Sequence, residues 1–195
     1  AMKTKWIVGL CCLGFVLNMC HAADAAWDAE NLVKSKLCML CHKKDDVGNQ
    51  TEAWQKSKHA KAFEVLASEK GKEVAKKAGV ADPQTSGKCL KCHTTAYGFT
   101  EAAVTEDIEP KEGVTCQACH GPGSKYKSKT KHAKDPETAM KELGLVKITS
   151  AVCERCHNKN SPTHDPARYK LADGTTAGFD FKQAVEKIKH PVPKK

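Results

Sequence analysis

Aromatic residues are scarce in this 195-residue chain: three Trp, three Tyr and five Phe. With so few large side chains and so many lysines, the chain's own residues make a thin core. Alternating apolar and polar stretches are missing too. Residues 103–105 and 146–148 are the only weak strand candidates, which excludes a sheet-built fold. Methionine almost vanishes beyond the first twenty residues, leaving Met39 and Met140; Met140 is expected to fill core space. Basic residues do not interleave with aromatics, which argues against a nucleic-acid surface. Past residue 20, no cysteine lies outside four copies of one motif, so none remains for a disulfide or a zinc site.

That motif is Cys-x-x-Cys-His. It occurs as Cys38-Met39-Leu40-Cys41-His42, Cys89-Leu90-Lys91-Cys92-His93, Cys116-Gln117-Ala118-Cys119-His120 and Cys153-Glu154-Arg155-Cys156-His157. Each copy is the attachment signal for one c-type heme. The two thiols add across the porphyrin vinyl groups, and the following histidine (His42, His93, His120 or His157) lies beneath the iron. Four heme c groups are therefore expected, and each adds a large apolar surface to the thin core.

The N-terminus reads as a secretory leader over residues 1–25: Lys3 and Lys5, an apolar run from Trp6 to Met19, then small residues, with cleavage near Ala22 or Ala25. Cys20 raises a lipoprotein alternative, but Leu17-Asn18-Met19 lacks the small residues such a site wants. Residues 26–195 are expected to form one tetraheme domain in the periplasm. The formal net charge of +9 overstates the basicity, because the propionates of four hemes contribute about −8, offset by ferric iron. The run Lys125 to Lys131 is a solvated face, a neutraliser of propionates, or a steering patch for an acidic redox partner.

The expected fold is mainly α: helices and loops wrapped around four covalently bound hemes, with little or no β. The strongest helix signal runs from Trp54 to about Lys77 and ends at Gly79 and Pro83. His59, Phe63 and Leu66 share one stripe of that helix at i, i+4, i+7 spacing. Gly121 and Pro122 turn the chain after the third motif, Gly121 as a left-handed cap. Residues 135–143 read as a short helix capped by Gly144. Phe181, Val185 and Ile188 mark a last helix ahead of His190-Pro191. Besides the leader's His21, four histidines remain outside the motifs: His59, His132, His164 and His190. Four hemes and four spare imidazoles permit bis-histidine iron throughout, which suits electron transfer and leaves no position for a substrate.

The chain resembles the tetraheme cytochrome c-554 family from about Cys38 to His190. The resemblance rests on the four motifs in order, on Trp54-x-x-Ser57-Lys58-His59-Ala60-Lys61-Ala62, and on Gly113-Val114-x-Cys116-x-x-Cys119-His120-Gly121-Pro122-Gly123. A basic segment with His132 and an amphipathic helix near His190 complete it. The resemblance implies a helical monomer with closely stacked hemes, with His132 on the first heme, His59 on the third and His190 on the fourth. It implies a five-coordinate second heme at His93. It also implies a periplasmic carrier that, in ammonia oxidisers, takes electrons from hydroxylamine oxidoreductase. The segment from Asn158 to Thr176 departs from the family pattern: it is shorter and carries His164 in the stiff loop Ser161-Pro162-Thr163-His164-Asp165-Pro166. His164 is a candidate distal ligand for the second heme, an exposed loop histidine, or a ligand for a neighbouring molecule.

The expected function is electron transfer between periplasmic or membrane-bound oxidoreductases and other cytochromes, by a monomer with no catalytic residues of its own. The competing readings are a small nitrogen-oxide reductase working at an open second heme, and a subunit of a heme filament.

Overall fold

Short helices punctuated by glycine, proline and capping side chains dominate the computed structural model, which describes residues 29–97 and 107–192. The expected leader with its cleavage points and Cys20, and the strand candidate at 103–105, lie outside the described residues. In chain order the α-helices are α1 (Ser35–His42), α2 (Gln50–Gln55), α3 (Glu69–Lys77), α4 (Gly87–His93), α5 (Cys116–His120), α6 (Lys129–His132), α7 (Pro136–Glu142), α8 (Ser150–Glu154) and α9 (Phe181–Ile188). The fold is mainly α, as expected.

The sheet is one antiparallel hairpin of β1 (Tyr169–Lys170) and β2 (Thr176–Ala177), with Tyr169 opposite Ala177 and Lys170 opposite Thr176. Its turn carries Asp173-Gly174. Gly174 has φ +85°, and the Asp173 carboxylate accepts from the Thr175 N–H and hydroxyl at 2.9 and 2.7 Å. An Asp-Gly pair is a standard hairpin signal. The other strand candidate, 146–148, pairs in no sheet; instead the Val146 N–H donates to the His120 carbonyl at 3.0 Å.

The helix expected from Trp54 to Lys77 is broken. α2 stops at Gln55, a turn segment follows, a 3-10 turn covers Glu64–Ala67, and α3 restarts with the Ser68 hydroxyl accepting from the Gly71 N–H. The carbonyls of the turn segment explain the break. His59 O accepts from Val114 N at 3.0 Å, Ala62 O faces His93 Nδ1 at 2.6 Å, and Phe63 O accepts from Gln84 Nε2 at 3.3 Å. Carbonyls committed to tertiary partners displace a helical ladder that propensity alone favours. The His59, Phe63, Leu66 stripe therefore does not lie on one helix.

The other boundaries follow their local chemistry. Asp135 caps α7 through Thr138 N at 2.9 Å, and Gly144 with φ +81° ends it. Asp180 caps α9 through Gln183 N at 2.8 Å. Gly121 ends α5 at φ 79°, ψ 169°, an extended positive-φ conformation rather than the expected left-handed helical one. A Cβ there would stand 2.4 Å from the Gly144 carbonyl oxygen, so no other residue fits. Buried apolar side chains are few. Leu32, Ala96 and Ile108 form one small cluster, with Leu90 and Ala139 also fully buried. Met140, expected in the core, is instead 40% exposed.

Candidate heme-binding centres

Each motif sits on a helical turn. α1, α4 and α5 end at His42, His93 and His120. At the fourth motif α8 stops at Glu154, and the turn continues through bonds from Cys156 N and His157 N to Cys153 O. Helical geometry brings residues three apart to one face, so the two thiols of a motif lie together with the histidine just beyond. The motifs also meet one another. The side chains of Cys38 and Cys116 lie close enough to interact, as do those of Cys92 and Cys156. Cys119 lies close enough to Cys153 for their charges to interact.

Three spare histidines each face a motif histidine. Ring centres are 5.9 Å apart for His42 and His132, 6.0 Å for His59 and His157, and 5.9 Å for His120 and His190. With a metal–nitrogen distance of about 2 Å on each side, two imidazoles on one metal have ring centres about 6 Å apart. All three gaps thus fit a single iron. Two pairings differ from those implied by the resemblance. His59 stands against the fourth motif's His157, not the third, and His190 against the third motif's His120, not the fourth. The docking of the 56–63 turn and the path of the chain after α9 decide this, and neither is local to a motif.

At His59, His120 and His157 the surroundings favour the neutral ring, the form a metal needs. Burial, then the nearby His190 and His42, hold His120 down to about 4. Burial and then His157 lower His59; burial and then Arg168 lower His157. Several rings are also fixed through Nδ1. His42 bonds Gln50 Oε1 at 2.9 Å, His93 bonds Ala62 O at 2.6 Å, and His132 bonds Tyr126 O and Ser128 O at 2.8 and 2.9 Å. A donor at Nδ1 leaves the Nε2 lone pair for a metal. Among the described residues no imidazole ring faces His93. The exposed His164, a candidate for that position, lies elsewhere. Its ring abuts Gly178, where a Cβ would come within 2.0 Å of Cε1. The next residue, Phe179, stacks on His157 with centres 5.7 Å apart. His164 is thus placed beside the fourth motif.

The family profile for cytochrome c554 and c-prime matches residues 37–121. Cytochrome c-554 of Nitrosomonas europaea is 30% identical over 149 residues, covering 70% of this chain and 59% of that protein. The chain belongs to the cytochrome c-554 family. It spans about three fifths of the length of that relative. No solved structure gives a significant match. Membership implies heme c as the cofactor.

The two segments that carry the family resemblance are clipped together. The Trp54 indole donates to Val114 O at 2.8 Å, and Val114 N donates to His59 O at 3.0 Å. A Cβ on Gly113, whose φ is +67°, would stand 2.7 Å from His59 O and 2.8 Å from Ala60 O, so glycine is required. The clip joins the His59 turn to the third motif.

Two further residues of this cytochrome c-554 homologue escaped the sequence reading. Tyr126, buried at the junction of the first and third motifs, donates its hydroxyl to His120 O and Gly121 O at 2.9 and 2.6 Å. Burial, then Cys38 and Cys116, raise its pKa. Gln117, 1% exposed, accepts from Val33 N and Gly123 N at 3.1 and 2.9 Å and donates to Val33 O at 2.7 Å. It ties the N-terminal segment to the third motif. Gln117→Leu strands three buried backbone groups at about 1–3 kcal/mol each, so a loss of about 3–5 kcal/mol is expected after relaxation. Thermal melting of the holoprotein should drop by about 10 °C; a loss under about 1 kcal/mol would contradict this role.

Proposed function

We propose that this protein is a periplasmic tetraheme electron carrier, formed by one domain over residues 26–195. Hemes would be attached at Cys38 and Cys41, Cys89 and Cys92, Cys116 and Cys119, and Cys153 and Cys156. Axial pairs would be His42 with His132, His120 with His190, and His157 with His59, while His93 holds the second iron from one side. The observation that carries this reading is the set of three imidazole pairs near 6 Å. Saturated iron exchanges one electron at a time with little rearrangement and takes no substrate. The cysteine contacts support a conducting order: first to third through Cys38 and Cys116, third to fourth through Cys119 and Cys153, and fourth to second through Cys156 and Cys92.

The lone His93 favours one addition to this reading, an open second iron able to bind a small ligand such as nitric oxide. Lys125, Lys127, Lys129, Lys131 and Lys134 are exposed and form no ion pairs among the described residues, whereas six other lysines do, at 2.5–3.1 Å. This basic face borders His132 and suits an acidic oxidoreductase or cytochrome as partner.

Paramagnetic resonance of the ferric holoprotein tests the assignment. Three low-spin signals and one high-spin signal that shifts with nitric oxide are expected, with a mass increment of four hemes. Exclusively high-spin iron would refute the carrier reading; four low-spin irons would refute the open second site. Electron exchange with an acidic partner should slow as salt rises, and a salt-independent rate would argue against the lysine face.

A further inference from the structure

Gln50 lies at the start of α2, buried at 9% exposure. Its amide meets three groups from two distant parts of the chain. Oε1 is 2.9 Å from His42 Nδ1. Nε2 donates to Pro191 O at 2.7 Å and also to Val47 O. The contact is built into the backbone. Gly48 has φ +99°, and a Cβ there would lie 2.9 Å from both Gln50 Nε2 and Pro191 O.

The two carbonyls determine which way round the amide sits. A carbonyl only accepts, so the NH2 end must face Val47 and Pro191, which leaves Oε1 toward His42. Oε1 also only accepts, so His42 Nδ1 must carry the proton. The Nε2 lone pair of His42 is then free on the side facing His132. The tautomer of a first-motif histidine is thus set by the carbonyl of residue 191. That residue adjoins His190, whose ring faces the third motif's His120 at 5.9 Å.

We infer that Gln50 is a positioning residue that sets the reduction potential of the first heme and anchors the His190 segment opposite the third. The inference rests on the reading of His42 and His190 as iron ligands. A neutral amide is a weaker acceptor than a carboxylate, and a stronger acceptor at Nδ1 makes the imidazole a better donor to iron, which favours the ferric state. Gln50 therefore holds the first heme at a higher potential than a carboxylate would, while keeping the ring in place. Its donor end acts separately, on Pro191.

Two variants of the holoprotein separate the two ends. Gln50→Glu keeps the size, strengthens the acceptor and loses both donors; Gln50→Leu loses all three bonds. At the first heme, identified as the signal that His132→Ala converts to high-spin, the variants should move oppositely. Gln50→Glu should raise the ferric-to-ferrous ratio at fixed potential up to tenfold, about 59 mV downward for one electron, and Gln50→Leu should lower it. At the third heme both should broaden the low-spin signal. Shifts of the same sign at the first heme, or none, would overturn the inference while the wild-type spectrum still stood. Absence of low-spin iron in the wild type would instead remove the ligand reading beneath it. Should neither variant assemble, the wild-type protein decides. The paramagnetically shifted His42 Nδ1 proton should persist after transfer to D2O, and its immediate loss would overturn the assignment.

Discussion

A chain denied its hemes is expected to lack a cooperative fold at 25 °C. Among the described residues only eleven apolar side chains are buried, and four of these are alanines: Ala62, Ala75, Ala96 and Ala139. The one buried cluster joins Leu32, Ala96 and Ile108. The longest helix among the described residues, α3, has nine residues, while isolated helices below about 12–15 residues are marginal in water. The hairpin has two strands of two residues and is too small to stand alone. Backbone ordering opposes folding at about 1–2 kcal/mol per residue, which this core does not offset. On the proposed ligation, the remaining apolar contact comes from porphyrin held between the facing histidines. Replacing all eight motif cysteines with serine and exporting the chain tests this. Circular dichroism should show little helix and no thermal transition, whereas the holoprotein melts cooperatively. A sharp melting transition in the all-serine chain would overturn the expectation.

Legibility divided along the range of the interactions involved. The motif turns, the Asp135 and Asp180 caps and the glycine stops at 79, 121 and 144 depend on a few neighbouring residues, and the sequence displays them. The Asp173-Gly174 hairpin signal is equally local, but its strands of two residues each are too short to show alternation. The 54–77 segment reads as one long helix because its competitors, the Val114 backbone N–H and the His93 and Gln84 side chains, come from distant positions that no local pattern marks. Gln50 and Gln117 look like ordinary exposed polar residues. Their importance lies in carbonyls and amides that come near only once the chain has folded. The exchange of His59 and His190 between the third and fourth motifs has the same origin. Spare histidines can be counted in a sequence, but which ring faces which depends on where the 56–63 turn docks. Met140 reads as core and is exposed, while the buried position on α7 is its neighbour Ala139.

His59→Ala should turn the heme at the fourth motif high-spin and leave that at the third untouched. The substitution is clean, because what docks this turn is the His59 carbonyl bonded to Val114 N and the Trp54 indole bonded to Val114 O, neither of which involves the imidazole. The variant should therefore keep its fold while removing the ring 6.0 Å from His157. With one axial nitrogen gone, the ligand field at that iron weakens and the ferric state becomes high-spin. Added imidazole should enter the space left and restore the low-spin signal. Phe179 identifies the heme independently. It stacks on His157 at 5.7 Å with an interplanar angle of 16°, so Phe179→Leu should shift the fourth-motif signal without abolishing it. The signal that Phe179→Leu shifts must be the one that His59→Ala removes. If His190→Ala removes it instead, the pairing implied by the family resemblance is right and the pairing described above is wrong.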